Sequence, residues 1–182
     1  MVPGRSLTGL LRRSAGERAG VIADELPPNR VSGRMLSVTR TFTVSAPPRL
    51  VVDYLKDLKH AEQWDPGTCR CERIDSGPVA EGAYWHHVSK LLGVTAELTY
   101  RLDELTDHTV VFVGEGRTSR TVGSIAASPE GRGSLITYQT ELEMHGIASI
   151  VNPILKRVCE RRAAHVERRM AAVLNRLPAT PG

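Results

Sequence analysis

Residues 84–87 read Tyr-Trp-His-His, the most unusual run in the chain. In an extended strand Trp85, His87 and Ser89 share one face, while Tyr84, His86 and Val88 share the other. A histidine turned into an apolar cavity can move a proton near neutral pH, as a cyclisation or dehydration requires. Alternation alone does not say which set turns inward, and the sequence places no partner within reach. A half-exposed strand histidine is therefore the competing reading. Tyr100 and Tyr138 lie on the apolar faces of their strands. Each hydroxyl can meet a ligand carbonyl, or be satisfied by the protein as buried tyrosines commonly are. Trp64, ahead of Asp65-Pro66-Gly67, either borders a cavity mouth or plugs a seam between elements. His145 stands between the last strand and the long helix, at a mouth or on the surface. Arg40 and Arg117 suit an anionic head group, or are simply solvated. The catalytic candidates are His87 and Tyr138. The ligand-binding candidates are Trp64, Trp85, His87, Tyr100, Tyr138 and His145.

Other chemistries lack their residues. There is no Gly-rich phosphate loop and no Gly-x-Ser-x-Gly. Gly114, Gly116 and Gly123 fall in strands and hairpins, where bulges and curvature account for them. Cys69 and Cys71 flank one residue and share a face if their strand is regular. A metal site would need two further ligands, and no matching pair stands out, so no metal or cofactor is expected. Three sparse cysteines, Cys69, Cys71 and Cys159, fit a reducing cytoplasm rather than a disulfide framework.

Composition narrows the class further. The chain has 182 residues, 41 % hydrophobic and 4 % aromatic, so the core of one domain must rest on Val, Leu, Ile and Ala. The net charge is +4, but residues 1–35 carry six arginines against three acids. The remainder is close to neutral, a weak footprint for nucleic acid. No apolar run reaches the roughly 20 residues a bilayer requires, and the N-terminus has no continuous apolar stretch of the signal-peptide kind. A cytoplasmic protein is the reading. Residues 1–34 show neither helical nor strand periodicity and read as a disordered tail. Met35 is an alternative start, in which case the tail is not translated. Residues 35–178 form the domain, and residues 179–182 a flexible end. High Arg, Ala, Gly and Val content is compatible with a GC-rich bacterial source.

Period-2 patterning begins at Val38, where Val38, Phe42 and Val44 alternate with threonines. Arg40 interrupts the apolar side, which places it near an open end. Ser45-Ala46-Pro47-Pro48 reads as a Ser or Ala cap with proline in the first helical turn. Leu50 to Leu58 then forms a short amphipathic helix, and His60 to Asp65 a second. Six more strands follow over Thr68–Asp75, Ala83–Lys90, Val94–Asp103, Thr109–Glu115, Thr118–Ser128 and Leu135–Met144, an antiparallel meander. From about Ile147 to Arg176 apolar residues recur at 3 and 4, giving one long helix with Pro153 in its first turns. Its arginines, Arg161 and Arg162 among them, read as a solvated basic face. A membrane surface or protein partner for that face is the alternative. The fold class is α+β: a seven-stranded curved antiparallel sheet wrapped around a long C-terminal helix, with two short helices after the first strand. A straight helix against a curved sheet leaves a cavity between them.

Over Val38 to Leu177 this pattern resembles the SRPBCC superfamily, the START-like and Bet v 1-like helix-grip proteins that include polyketide cyclase/dehydrase-like members. The resemblance rests on the opening strand into Ser45-Ala46-Pro47-Pro48, on Ala61-Glu62-Gln63-Trp64-Asp65-Pro66-Gly67, on Gly82 with Trp85, and on His145-Gly146. It implies that Trp85 and His87 face inward, and that the cavity takes a hydrophobic or aromatic small molecule. It names no ligand, because such cavities vary their linings freely. Binding or carriage of that molecule is the first functional expectation. A polyketide aromatase/cyclase-type enzyme is the second, and an interaction module using the basic helix the third. Oligomeric state is not legible.

Overall fold

The computed structural model describes residues 35–91, 93–145 and 153–178. The expected tail over residues 1–34, the end at 179–182 and the start of the long helix at 147–152 lie outside the described residues. Seven strands follow the expected order: β1 Met35–Val44, β2 Thr68–Arg73, β3 Tyr84–Leu91, β4 Val94–Leu105, β5 Thr109–Gly116, β6 Ser119–Glu130 and β7 Gly133–Met144. Helix α1 (Pro48–Leu55), a 3-10 turn (Leu58–His60) and α2 (Ala61–Trp64) separate β1 from β2, and α3 (Pro153–Leu174) closes the chain.

From β2 to β7 the sheet is a meander. β1 crosses over to pair with β7, giving the antiparallel order β1-β7-β6-β5-β4-β3-β2. The β1–β7 ladder begins at Met35↔Glu143, so β1 starts three residues before the clean alternation at Val38. Backbone pairing continues there although Met35 itself is exposed.

The described part of the long helix begins at Pro153. Proline lacks an N–H and has a helical φ, so a first helical position suits it. The expected cap of α1 is different too. Pro47 occupies the N-cap without a side-chain bond and Pro48 follows inside the helix. Ser45 instead turns to the residue just past α3. Its N–H and Oγ–H both donate to Asn175 Oδ1, at 2.7 and 2.9 Å, fastening the end of α3 to the end of β1.

One end of the concave sheet face is packed solid. Val44, Trp85, Leu102, Val110, Ala127 and Ile136 meet Val51, Val52 and Leu55 of α1 and Val166, Met170 and Leu174 of α3. Ser134, fully buried there, donates its hydroxyl to Ala46 O at 2.6 Å. Beside it, β7 passes so close to β1 that a Cβ at Gly133 would overlap Val44 O. The obstruction is backbone and cannot swing away.

Cys69 and Cys71 do not share a face. Cys69 is exposed and Cys71 buried. The β2–β3 register shifts between Thr68 and Arg70, so Cys69 sits in a β-bulge that breaks the alternation. On this edge strand the Cys71 N–H donates to Glu62 Oε1 at 2.7 Å. Of the expected bulges and curvature, the bulges are absent at Gly114 and Gly123. The β5–β6 ladder runs without a register shift through Gly114 and Gly123. These glycines thin the sheet's inner face rather than bulge it.

Gly133→Ala is expected to destabilise the fold by about 1–3 kcal/mol, the scale of overpacking. Urea denaturation measures it, and a shift of the midpoint no larger than that of a surface Ala substitution would contradict the close approach.

Candidate functional site

Beyond the packed end the inner face of the sheet loses bulk. Along β5 the inward residues run Val110, Phe112, Gly114, Gly116, and along β6 backwards Ala127, Ile125, Gly123, Thr121, Ser119. Small residues facing a straight helix leave space between sheet and helix. The result is a cavity of about 1170 Å³. That is slightly above the ~300–1,000 Å³ common for small-molecule sites. Leu36, Val38, Leu98, Ile125, Leu142 and Leu155 give it apolar walls. The rim runs out over the β3–β4 hairpin to Thr95, Glu97 and Thr99, and over the β5–β6 turn to Arg117.

Where β3, β4 and β7 pass from the packed end into this space, the first inward side chain is polar. His87 follows Trp85 on β3, Tyr100 precedes Leu102 on β4, and Tyr138 follows Ile136 on β7. From the helical side Asp65, just after α2, and Arg162, on α3, join them. Arg162 donates from Nε to Asp65 Oδ1 at 3.0 Å and from Nη2 to Oδ2 at 2.6 Å, a bidentate pair. The two side chains are 25 % and 13 % exposed. Asp65 also accepts from Gly67 N at 3.0 Å and from Thr68 Oγ at 3.1 Å. A Cβ at Gly67 would overlap the Arg162 guanidinium, so glycine at this turn gives the arginine its seat.

Thr68 carries the network on to His87, whose Nε2 lies 2.9 Å from the Thr68 hydroxyl oxygen. A hydroxyl has one proton, and Asp65 receives it. Thr68 therefore accepts from Nε2–H, which fixes the neutral tautomer of His87 and leaves Nδ1 bare. Nδ1 is buried with no hydrogen-bond partner among the described residues, as is Trp64 Nε1. The His87 ring also meets the Tyr100 ring edge-on, at 5.1 Å between centroids. Tyr100 lies across Gly114 of the next strand, where a Cβ would come within 2.6 Å of its ring.

Charge states follow from this burial. Desolvation alone would raise the Asp65 pKa. The Arg162 hydrogen bonds and charge, with the Gly67 and Thr68 donors, outweigh it and hold the carboxyl below its ordinary range. Arg162 is held above its own by Asp65, against the opposing effect of burial. Burial pushes His87 down to about 4, and Tyr100 up to about 12. Tyr138 is also raised, mainly by burial. At neutral pH the centre holds one ion pair, a neutral imidazole and two intact phenols.

Of the six ligand-binding candidates, Trp64, His87, Tyr100 and Tyr138 line the cavity. Trp85 turns inward but into the packed end, 0 % exposed. There its Nε1–H donates to Asp57 Oδ1 at 3.1 Å and its ring meets Phe112 edge-on. His145 is exposed outside the lining, and its backbone N–H donates to Thr118 O. Arg40 lies on the inner side of β1 facing α3, where Nη2 donates to Glu160 O at 3.0 Å. Arg162 is not part of a solvated face. The signal that finds it is spacing: Val158, Arg162, Val166, Met170 and Leu174 stand four apart along the inward line of α3. Among the described residues no group of three or more His, Cys, Asp or Glu is placed to hold a metal ion, and no helix is long and apolar enough to cross a membrane.

Residues 35–180 match the family described as polyketide cyclase/dehydrase and lipid transport. This chain belongs to that family. Solved structures of the same fold include the Zhui aromatase/cyclase from Streptomyces sp. R1128, at 19 % identity over 81 % of this chain and 99 % of that one, with a TM-score of 0.65. A START superfamily protein from Mycobacterium smegmatis matches at 13 % identity over 78 % of this chain and 99 % of that one, TM-score 0.65. Ginseng major latex-like protein 151 from Panax ginseng matches at 15 % identity over 80 % of this chain and 100 % of that one, TM-score 0.60. At these identities the likeness speaks for the helix-grip fold alone. A search of curated proteins finds no match.

His87 is predicted to make stability fall with acid. Its folded pKa lies below the ordinary 6.5, so the unfolded chain binds the proton first as pH drops. Its contribution is complete above pH 6.5, is lost between 6.5 and about 4, and amounts to on the order of 3 kcal/mol. Asp65 titrates below that window. Urea denaturation at pH 7 and pH 4.5 should show a gap that narrows in His87→Gln, and an unchanged gap would assign the acid sensitivity to other groups.

Proposed function

We propose that this chain binds, and by reversible binding carries, a hydrophobic small molecule in the cavity between sheet and α3. The observation that carries this reading is the space itself, about 1170 Å³ with apolar walls and a few convergent polar groups from α3, β3, β4 and β7. That composition is the one small-molecule sites share, an apolar body with a few polar groups that set orientation. A tightly packed helix-grip core would need bulk at Gly116, Ser119, Thr121 and Gly123, which this sequence withholds.

The aromatase/cyclase reading requires a group that takes a proton at neutral pH. His87 is the candidate in place, and burial has moved its pKa to about 4. A base matched to neutral pH would titrate near 7, so His87 is weak for that task. Tyr138, kept as an intact phenol, serves as a hydrogen-bond donor. Both observations favour binding over proton transfer.

Native mass spectrometry of the chain purified from its own host should reveal a retained apolar molecule. Gly123→Leu supplies the matching control. Nothing lies within 4 Å of a Cβ at this position, and its φ is not in the left-handed region, so leucine enters open space. The variant should keep the wild-type unfolding midpoint and bind a hydrophobic fluorescent probe at least about tenfold more weakly. A wild-type chain that is empty and also takes up no such probe would refute the reading.

A further inference from the structure

This inference rests on the binding reading and concerns which molecules the cavity accepts. Among the described lining residues, Asp65 and Arg162 are the charged groups of the interior. Glu97, Glu115 and Arg117 are exposed at the rim, as is one edge of His86, which meets Glu97 at 3.3 Å. The interior pair sums to zero charge, but its two halves are not equally occupied. Asp65 accepts four hydrogen bonds, two from Arg162 and one each from Gly67 and Thr68. Its two oxygens offer about four acceptor sites, so they are filled. Arg162 has five N–H groups, and its hydrogen bonds among the described residues engage two of them. Tyr100 and Tyr138 lie within electrostatic reach of the same guanidinium and keep their hydroxyl protons. The centre thus offers N–H donors of Arg162 beyond those given to Asp65, beside the bare acceptor Nδ1 of His87, at zero net charge.

We propose that the cavity selects uncharged apolar molecules bearing an acceptor oxygen, such as a ketone or ester carbonyl, and that Asp65 is the residue that excludes carboxylates of the same shape. A carbonyl oxygen can accept from Arg162 or a tyrosine without taking a full charge out of water. A carboxylate brings a third charge into a low-dielectric space, where Asp65 repels it while Arg162 attracts it. Bidentate pairing commits the Nε/Nη2 edge of the guanidinium to Asp65, so an incoming carboxylate meets a cation whose charge is already neutralised. Without Asp65, the same arginine becomes an unneutralised carboxylate anchor.

Two probes with one skeleton test this, 1-pyrenebutyrate and its methyl ester, titrated by fluorescence at pH 7.5. The wild-type chain should bind the ester at least about tenfold more tightly than the carboxylate. In Asp65→Asn the affinity of the carboxylate relative to the ester should rise about tenfold. Asp65→Ser, which keeps a small acceptor for the Gly67 N–H, carries the same expectation should the asparagine variant fail to fold. Equal wild-type affinities, or a ratio unmoved in a folded Asp65 variant, would overturn the charge selection and leave the binding reading standing. Failure of both probes to bind the wild-type chain would overturn the binding reading itself. The wild-type ratio tests the charge selection even if neither variant folds.

Discussion

One helix must cover the concave face of a seven-stranded sheet, and most of the structure follows from how unevenly it does so. The described helix of 22 residues is about 33 Å long at the standard rise. Its apolar line, Val166, Met170 and Leu174, is concentrated in its second half. There it closes against Ile136, Val44 and the α1 side chains. In its first half the inward positions are Leu155, Cys159 and Arg162, and the strands opposite carry glycine, serine and threonine. Packing at one end and withheld bulk at the other are two sides of one constraint. The ion pair at the junction ties the hollow half of α3 to the corner after α2, where apolar contact alone is thin. Removing one partner of such a pair leaves a half-buried charge uncompensated, which is the costly direction for any buried pair.

The polar groups lie where the two regimes meet. A tyrosine or histidine deeper in the packed end would need a protein partner for each polar atom. Farther out, water would satisfy it. At the junction Tyr100, Tyr138 and His87 are desolvated enough to keep neutral forms, yet adjoin open space. Burial and hydrogen bonding therefore set both the charge state and the orientation of the site, without a metal-ligating cluster among the described residues.

Much of this was legible in the chain. Alternation in Val94–Leu102 and Leu135–Met144 put Tyr100 and Tyr138 on inner faces, and the order of elements gave the helix-grip arrangement. What escaped had physical reasons. Trp85 and His87 share a face, but period 2 does not say where along a strand packing stops and a cavity begins. Arg162 was masked by its neighbours, since a helix bearing Arg157, Arg161, Arg168 and Arg169 reads as basic all round unless each position is set against the apolar line. Cys69 was misplaced because a bulge leaves no mark in residue types on a short edge strand. The room left by Gly114 and Gly123 was not foreseen because absent bulk means nothing until the facing helix is known.

The crossover that sets β1 beside β7 bears on how the molecule is made. Met35 pairs with Glu143 and Val44 with Ser134, so the first strand's ladder partners lie about a hundred residues downstream. During synthesis β1 leaves the ribosome early and its edge stays unsatisfied until β7 follows. The meander from β2 to β7 can assemble from neighbouring hairpins, but closure of β1 and docking of α3 must wait for nearly the whole chain. Topologies with such distant contacts fold slowly, because the entropy of a long loop is lost before its contacts form. An early amphipathic strand rich in valine and threonine, waiting for its mate, is the stretch a chaperone or a second nascent copy would meet first.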